Sequence, residues 1–465
     1  MIVRLDETFD PRQVNMAVSR FRTTRRVFLQ YLATASAISL SGCAVGRDMA
    51  QPTRFSFAPA TTEVTSRSAV VWLRTSRPTP LQVVYGRDPD LAQGTPSPIV
   101  QVTAATDHTM AMELANLKPG QDYFYRGIIP NGVRGQGVQG SRVGHFRTAP
   151  ETPQPFRFAW SGDMQAERQP FRLYDRILEQ KPDFFLMLGD TIYADHPSIY
   201  AARTLGAFRA KHRENRADSH LQNFLANVPV YAMWDDHEVA NNFNQTHRLI
   251  RLGRRAFREY WPIQGLQSDP SVLYRTVSWG PMVDLFLLDC RQYRSRQRDA
   301  DGPAKTMLGA SQKAWFKEAI RQSTAAFKFV ISSVPFLGWK STDKWAGYAT
   351  ERNELLHFFR SEAISGVIFL SADVHMARHL THVDGVKDFT AGPVAARPLC
   401  ENRPGRQLQM ASISGFITCD AFNYGLVTVR PEADPPELDM QILDATNTVL
   451  YQTHIVATPN PSIQT

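Results

Sequence analysis

Acidic residues and histidines follow apolar runs at several separate places in the chain. Each run has the continuous Val, Ile, Leu and Phe character of a buried β-strand. Because open α/β sheets place their chemistry just past the strand ends, the pattern predicts one convergent site that holds metal ions. The runs are FAWSGD, FFLMLGDTIY, VYAMWDDHE, LFLLDCR, FVISSVPF and VIFLSADVH, and five of the six end near a carboxylate.

Two carboxylates are the first candidate metal ligands of this predicted site. Asp163 and Asp190 are 27 residues apart, about one strand–helix–strand unit, so their strand ends are expected to lie side by side. Two carboxylates held close repel each other unless a cation lies between them. Tyr193 follows Asp190 closely enough to reach the same ion. The alternative is that Asp190 merely caps a following helix.

The segment WDDHEVANN places Asp235, Asp236, His237 and Glu238 at four consecutive positions after an apolar run. Such a series of polar groups is costly in a core and indicates an open polar cleft. Asp236 is a candidate metal ligand, and His237 beside it suits a general acid that protonates a leaving oxygen. Asn241 offers an amide oxygen to a hard cation or hydrogen bonds to phosphate oxygens.

Two further strand ends add candidate residues. Asp373 and His375 stand two apart in SADVH, on the same side of an extended backbone. Arg291 follows Asp289, and a guanidinium at a strand end could clamp a phosphate through two contacts. A structural Arg–Asp pair is the alternative, and the sequence leaves both open.

The elements that position these residues fall into two predicted regions. Residues 51–150 hold short alternating segments divided by Pro, Gly, Asn and Asp, which is typical of a small antiparallel sandwich. Within it, LKPGQDYFYR resembles the tyrosine-corner stretch of fibronectin type III-like domains, so its tyrosines are expected in the core. Over 156–455 apolar strands alternate with helical segments, which predicts a layered α/β domain.

The N-terminal residues 1–43 have the features of an export signal. Arg25 and Arg26 precede the apolar stretch Val27–Leu40, which is too short to span a bilayer. The arrangement resembles a twin-arginine signal, and LSGC resembles a lipobox with Cys43 as the lipidated first mature residue. The predicted partners are therefore the twin-arginine export machinery and a membrane, to which a lipidated Cys43 would anchor the protein. Met16 is an alternative start, because the first fifteen residues carry acids unusual for such a signal.

Composition adds weaker constraints. The chain has 465 residues, 43% hydrophobic content and a formal charge of +8, which suits a globular protein that favours anionic substrates. No specific nucleic-acid partner is predicted. The locally basic stretch RLIRLGRRAFREYW has helical spacing, which favours a solvated helix face over a binding patch. Cys400 and Cys419 could pair if the protein is exported.

Several long motifs, in order, resemble the alkaline phosphatase D family of calcineurin-like metallophosphoesterases. They are GDTIYAD, WDDHEVANN, LLDCRQYR, DKWAGYATER and LSADVHMA, and the resemblance covers about residues 51–455. It implies a four-layer α/β sandwich preceded by a small fibronectin type III-like β-sandwich, with a multi-metal centre of iron plus calcium. It also implies roles for the matching residues. Asp190 would bridge the ions, with Asp163, Tyr193 and His375 on one ion, Asp236 and Asp373 on the other, and His237 near the leaving group.

Two departures from the family leave the metals open. Asp163 stands where some members carry a cysteine, and FVISSVPF lacks a histidine that the broader superfamily carries. The harder ligand set suits Fe³⁺ and Ca²⁺, with Mn²⁺ or Mg²⁺ as alternatives. We therefore expect a phosphoric ester hydrolase of the periplasm or cell envelope that acts on a phosphate ester. The alternatives are a phosphodiesterase acting on envelope phosphodiesters or lipid head groups, a non-catalytic envelope lipoprotein, and an adhesin built on the N-terminal sandwich.

Overall fold

A computed structural model describes residues 53–130, 139–263, 269–338, 341–401 and 415–458, so the predicted signal in residues 1–43 lies outside the described part. The strands are β1 (Ala60–Thr62), β2 (Ala69–Arg74), β3 (Thr79–Gly86), β4 (Thr95–Pro96), β5 (Val100–Val102), β6 (Thr109–Leu114), β7 (Asp122–Ile129), β8 (Gln139–Gly140), β9 (Gly144–Arg147), β10 (Phe156–Ser161), β11 (Phe184–Leu188), β12 (Val230–Met233), β13 (Arg275–Trp279), β14 (Val283–Leu287), β15 (Phe327–Ile331), β16 (Val367–Ser371), β17 (Ala377–Thr381), β18 (Lys387–Thr390), β19 (Phe416–Thr418), β20 (Asn423–Arg430), β21 (Glu437–Asp444) and β22 (Val449–Val456). The α-helices are α1 (Leu173–Glu179), α2 (Leu205–Arg216), α3 (Ser219–Asn227), α4 (Ile250–Tyr260), α5 (Gly309–Gln322) and α6 (Ala349–Ser361). Short 3-10 helices occur at Ala104–Thr106, Ala166–Arg168, Ser198–Tyr200 and Trp345–Tyr348.

The first large sheet has nine strands in the order β22-β21-β20-β10-β11-β12-β1-β2-β6. Its central strands β10, β11 and β12 are parallel, and the register pairs Ser161 with Met187 and Leu188 with Met233. The three strands therefore end at one edge of the sheet. This edge carries the loops of Asp163, Asp190 and the WDDHE segment.

The second large sheet has seven strands in the order β13-β14-β15-β16-β18-β17-β19. Strands β14, β15 and β16 are parallel, and the register aligns Leu287 with Ile331 and Ile331 with Leu370. Their ends also meet at one edge, which carries the loops of Asp289 and Asp373. All six apolar runs singled out in the sequence are therefore strands, as predicted.

The two large sheets pack face to face, and helices cover their outer faces. Between the sheets, the ring of Phe158 from β10 meets the ring of Phe329 from β15 edge-on, with 5.1 Å between centroids. On the outer side of the first sheet, Phe224 of α3 packs on Phe185. On the outer side of the second sheet, α5 and α6 pack on Phe286 and Phe369. This is the expected four-layer arrangement, and its core is apolar because each sheet is buried on both faces.

The N-terminal strands form a sandwich that continues into the first large sheet. Strand β1 pairs in parallel with β12 through Thr62 and Val230, and β2 and β6 extend the sheet further. The facing sheet contains β4-β3-β7-β8, with β5 on β3 and β9 on β7. Tyr123 and Tyr125 of the predicted tyrosine-corner stretch are buried, and the Tyr123 hydroxyl accepts a hydrogen bond from the backbone N–H of Lys118. The boundary between residues 51–150 and 156–455 stays a prediction.

Two further findings bear on the sequence analysis. Cys400 and Cys419 form a disulfide, as the sequence allowed. Among the described residues, none of the helices has both the length and the apolar character needed to cross a membrane.

Candidate metal centre

Four of the candidate ligands sit on strained backbone at the strand ends. Asp163, Asp190, Asp373 and His375 have φ angles of 66°, 49°, 64° and 52°, in the left-handed region that side chains with a Cβ rarely adopt. Each such residue costs about 1–3 kcal/mol, and strain of this kind concentrates at functional sites. The four strained residues come from three strand ends, and each belongs to a group of side chains whose ligand atoms lie close together.

Gly189, the residue before Asp190, explains how two of the loops approach so closely. Its φ is 98°, and a Cβ at this position would lie 2.3 Å from the Cβ of Asp235. Only glycine tolerates both the conformation and the contact. The GD pair therefore brings the β11 and β12 loops together.

One group of candidate ligands combines Asp163, Asp190 and His375. The ligand atoms of these three residues lie within 4.8 Å of one another. The Tyr193 hydroxyl joins them, since it lies 3.0 Å from His375 Nε2. The family resemblance implies that these four residues surround one ion, and the structure brings them together.

A second group overlaps the first through Asp190. Asp190, Asp236 and His237 offer ligand atoms within 4.8 Å of one another, and so do Asp235, Asp236 and Asp373. The shared position of Asp190 fits the bridging role implied by the family resemblance. Asp235 is a candidate ligand that the sequence analysis had assigned no role.

The donor atoms fit cations. Both carboxylate oxygens of Asp163 are buried and have no hydrogen-bond partner among the described residues, which is costly for a charged group unless an ion binds it. His375 Nδ1 lies 2.7 Å from the carbonyl oxygen of Arg397. This contact places the proton on Nδ1 and leaves the Nε2 lone pair directed at the cluster, the usual arrangement of a metal-binding histidine. Burial lowers the pKa of His375 to about 4, which keeps the ring neutral.

The charges of the cluster also favour cations. Burial raises the pKa of Asp163 well above its usual range, and the nearby Asp373 and Asp235 raise it further. Burial and the charge of Asp236 act in the same direction on the pKa of Asp190. Carboxylates in this environment resist ionisation until positive charge enters the cleft. Without it Asp163 and Asp190 would hold protons, so these two carboxylates favour bound metal ions. Asp236 differs, because the charges of Arg291 and His237 outweigh its burial and lower its pKa.

Arg291 lies beneath the cluster rather than facing the cleft. Its side chain is fully buried, and its guanidinium contacts Asp235, lies 2.6 Å from Asp373 Oδ1 and lies 3.2 Å from Asp343 Oδ2. Lys344 adds a second cation that contacts Asp373 and Asp343. The guanidinium donors are occupied by carboxylates, so this geometry favours the structural alternative over the phosphate clamp. Through these contacts Arg291 joins the loops that follow β12 and β16.

His237 is oriented by an acid from a neighbouring loop. Its Nδ1 lies 2.6 Å from Asp195 Oδ1, and its ring stacks on Tyr193 with 4.2 Å between centroids. Burial lowers the pKa of His237, but Asp236 and the hydrogen bond to Asp195 outweigh it and raise this pKa to about 9. A proton on Nδ1 leaves Nε2 as the atom that can serve a substrate. This arrangement suits the predicted general acid.

Other expected residues take supporting positions. The backbone N–H of Asn241 donates to Asp195 at 2.6 Å, and Asn241 is exposed. Asp289 accepts hydrogen bonds from its own loop, including the Gln292 side chain at 2.5 Å, and belongs to none of the ligand groups found among the described residues. Glu238 accepts from the backbone N–H groups of Asp190, Thr191 and Asp235, so it fixes two loops at once.

The residues that support the ligands were not predicted from the sequence. Asp195, Asp343 and Lys344 received no role, although they lie within the quoted motifs GDTIYAD and DKWAGYATER. An acid two residues after Tyr193 was the available signal for a partner of His237. No local pattern indicated that Asp343 would meet Arg291, because 52 residues separate them.

Comparison with known proteins agrees with this geometry. A family model described as PhoD-like phosphatase matches residues 158–433, and one described as its N-terminal domain matches residues 42–150. The chain belongs to the PhoD-like phosphatase family. The family predicted from the motifs is confirmed.

Individual relatives of this PhoD-like chain support the assignment. Alkaline phosphatase D of Bacillus subtilis (strain 168) is 29% identical over 318 residues, which cover 58% of this chain and 53% of the relative. The chain thus matches about half the length of that relative. A solved structure titled as that of PhoD superposes with a TM-score of 0.75 at 22% identity, covering 88% of this chain and 93% of the other. Purple acid phosphatase PPD1 from yellow lupin (Lupinus luteus) seeds gives 0.59 at 12% identity, with 86% and 74% covered. The two structures support the metallophosphoesterase fold.

Proposed function

We propose that the protein is an exported, metal-dependent phosphoric ester hydrolase. Membership of the PhoD-like family supports the reaction class. The observation that carries the proposal is the buried, unpartnered carboxylate of Asp163 among converging acids and the Nε2 lone pair of His375. Such a cluster is built for cations rather than for fold stability alone.

In this proposal, different residues bind the two ions, position the ligand loops and contact the phosphate. Asp163, Asp190, Tyr193 and His375 would hold one ion, and Asp236 with Asp373 would hold another that shares Asp190. A bound cation would neutralise phosphoryl oxygens and lower the pKa of a coordinated water, which is the nucleophile in this proposal. Glu238 and Arg291 keep the ligand loops in place. The amide of Asn241 is proposed to contact the phosphate.

His237 supplies the proton for the leaving oxygen in this proposal. Asp195 holds the Nδ1–H, so Nε2 faces the substrate and can transfer its proton to an alkoxide. Asp195 also stabilises the imidazolium before transfer. The same pair would return to its starting state by taking a proton from water.

The role of His237 is tested by the leaving group. His237→Ala is expected to slow hydrolysis of an alkyl phosphate by roughly 10²–10⁴-fold but that of a nitrophenyl phosphate far less, because a good leaving group departs without a proton. Asp195→Asn should show the same preference with a smaller loss. Asp175→Asn is the matched control, since Asp175 also lies 2.6 Å from a histidine, His220, outside the ligand groups. Equal losses on both substrates would instead assign His237 to metal positioning.

Fe³⁺ and Ca²⁺ are the proposed ions, with Mn²⁺ or Mg²⁺ as alternatives. A phenolate bound to ferric iron absorbs visible light, so iron-loaded protein should be coloured through Tyr193. Tyr193→Phe should remove the absorption band and weaken iron binding while the fold survives. Tyr174→Phe is the control, because it deletes a buried hydroxyl that contacts Met164 instead of a candidate ligand. A colour that persists in Tyr193→Phe would exclude Tyr193 as an iron ligand.

Export to the periplasm or cell envelope is proposed on the N-terminal pattern. The Cys400–Cys419 disulfide supports it, since disulfides persist mainly in oxidising compartments. Arg25→Lys with Arg26→Lys should leave the protein in the cytoplasm, and Cys43→Ala should release it from the membrane. Fractionation of expressing cells measures both. The matched control is Arg20→Lys with Arg22→Lys, and unchanged delivery of the Arg25/Arg26 variant would contradict the twin-arginine interpretation.

A further inference from the structure

The basic stretch found in the sequence forms helix α4, and the structure places four of its arginines on one face. Arg251, Arg254, Arg255 and Arg258 follow helical spacing on the side away from the core. The opposite side packs inward through Phe257 and other buried residues. A solvated helix face was the favoured interpretation of this stretch.

The arginines do not face open solvent alone, because they line a cavity. Its volume is about 450 Å³. Thr109 and Ala111 of strand β6 also line it, and so does Pro270. The cavity therefore lies between α4 and the N-terminal region, and none of its lining residues is a candidate metal ligand.

The arginine charges are only partly compensated. Glu259 pairs with Arg255 at 3.1 Å, but it also pairs with Arg209 at 2.6 Å. Arg254 donates to the neutral side chain of Gln292 at 2.6 Å. Among the described residues, Arg251 and Arg258 have no carboxylate within 4.0 Å. Asp269 is near enough to Arg254 and Arg258 to act on their charges, but it forms no ion pair with either within 4.0 Å. Three guanidinium groups thus line one cavity with no directly paired carboxylate among the described residues.

Arg258 shows the imbalance most clearly. Its Nη1 is buried and has no hydrogen-bond acceptor in the described part of the chain. Burial lowers the pKa of Arg258 and repulsion from Arg254 lowers it further, while the nearby Asp269 offsets part of this effect. A buried donor without a partner costs free energy that a bound acceptor would recover.

We propose that this cavity binds a phosphate group other than the one that is hydrolysed. Guanidinium groups match phosphate oxygens through paired N–H contacts, and several of them along a helix can surround one tetrahedral anion. The volume leaves room for more than one phosphate, and Ala111 and Pro270 give it a partly apolar wall. Free phosphate and a phosphate carried on a larger molecule share this chemistry. The proposal concerns binding and does not depend on the proposed hydrolysis.

Calorimetric titration of the metal-loaded full chain tests the proposal with two probes, inorganic phosphate and tripolyphosphate. Arg251→Gln with Arg258→Gln should weaken one binding event by roughly tenfold or more, since each lost contact is charge-assisted. Arg248→Gln with Arg298→Gln is the control, because it removes the same charge from exposed side chains that do not line the cavity. Ala111→Glu gives an independent variant that places an anion in the cavity and leaves the arginines intact.

The outcomes separate the two sources of phosphate. Arginine-dependent binding of inorganic phosphate supports the proposal with free phosphate as ligand, and dependence seen only with tripolyphosphate supports a larger phosphate-bearing ligand. Turnover of nitrophenyl phosphate should stay within about twofold of the wild type, because the variants lie outside the metal centre. If the cavity variants and the control bound both probes equally well, the proposal would be overturned. A protein that bound phosphate here but hydrolysed nothing would contradict only the proposed function.

Discussion

Asp190→Asn is expected to abolish both hydrolysis and stoichiometric metal binding. Asp190 belongs to two of the three ligand groups, so one substitution removes negative charge from both proposed ions. Loss of an outer partner of a metal ligand already costs roughly 10–100-fold in affinity or activity. Loss of a shared ligand should exceed that range. Metal analysis and steady-state rates on the purified variant measure the effect.

The matched control lies at the other end of the same strand. Asp183 precedes β11 and is largely buried, and its carboxylate accepts a hydrogen bond from the backbone N–H of Arg157. Asp183→Asn keeps an acceptor oxygen there, so metal content and rates should stay near those of the wild type. An Asp190→Asn variant that kept its metals and turned over like this control would make Asp190 a structural residue.

Arg291→Gln is expected to destabilise the fold by about 3–5 kcal/mol, the range for removing one partner of a buried ion pair. The substitution leaves Asp235, Asp343 and Asp373 with less positive charge in a buried setting. Lys344 still contacts Asp343 and Asp373, and Arg294 still lies 2.8 Å from Asp343 Oδ1. Denaturant unfolding of the metal-free and metal-loaded protein measures the loss. Bound cations should offset part of it, so the metal-free protein should lose more.

The alternative role of Arg291 gives a different result. A phosphate clamp would raise KM and leave the free energy of unfolding nearly unchanged. Arg296→Gln, which removes an exposed charge from the same loop, should change stability by no more than about 0.5 kcal/mol. If Arg291→Gln were as stable as this control and had a raised KM, the structural role of Arg291 would be contradicted.

The strands and candidate ligands could be predicted because their signals are local. A continuous apolar run followed by GD or by DDHE marks both a buried strand and the loop after it. The parallel order of β10, β11 and β12 then brings Asp163, Asp190 and Asp236 to one edge. This placement needs only the rule that parallel strands end together.

The supporting residues could not be predicted in this way because their partners are distant in sequence. Arg291 reaches Asp235 across 56 positions and Asp373 across 82, so both of its proposed roles stayed open until the two sheets were seen together. The pairing of β1 with β12 could not be predicted either, because the two strands are distant in sequence. The sequence predicted a small sandwich for residues 51–150, and it gave no sign that a parallel pair would join β1 to the first large sheet. Edge-to-edge pairing of two regions leaves no periodic signal in either.

The most direct test of the central claim is a metal titration of the chelator-treated protein followed by rate measurement. Hydrolysis of nitrophenyl phosphate and of bis-nitrophenyl phosphate should return in proportion to bound metal, with at least two ions per chain at full activity. The ratio of the two rates would decide between monoesterase and diesterase action. Full activity in metal-free protein, or no hydrolysis of either ester at any metal content, would contradict a metal-dependent phosphoric ester hydrolase.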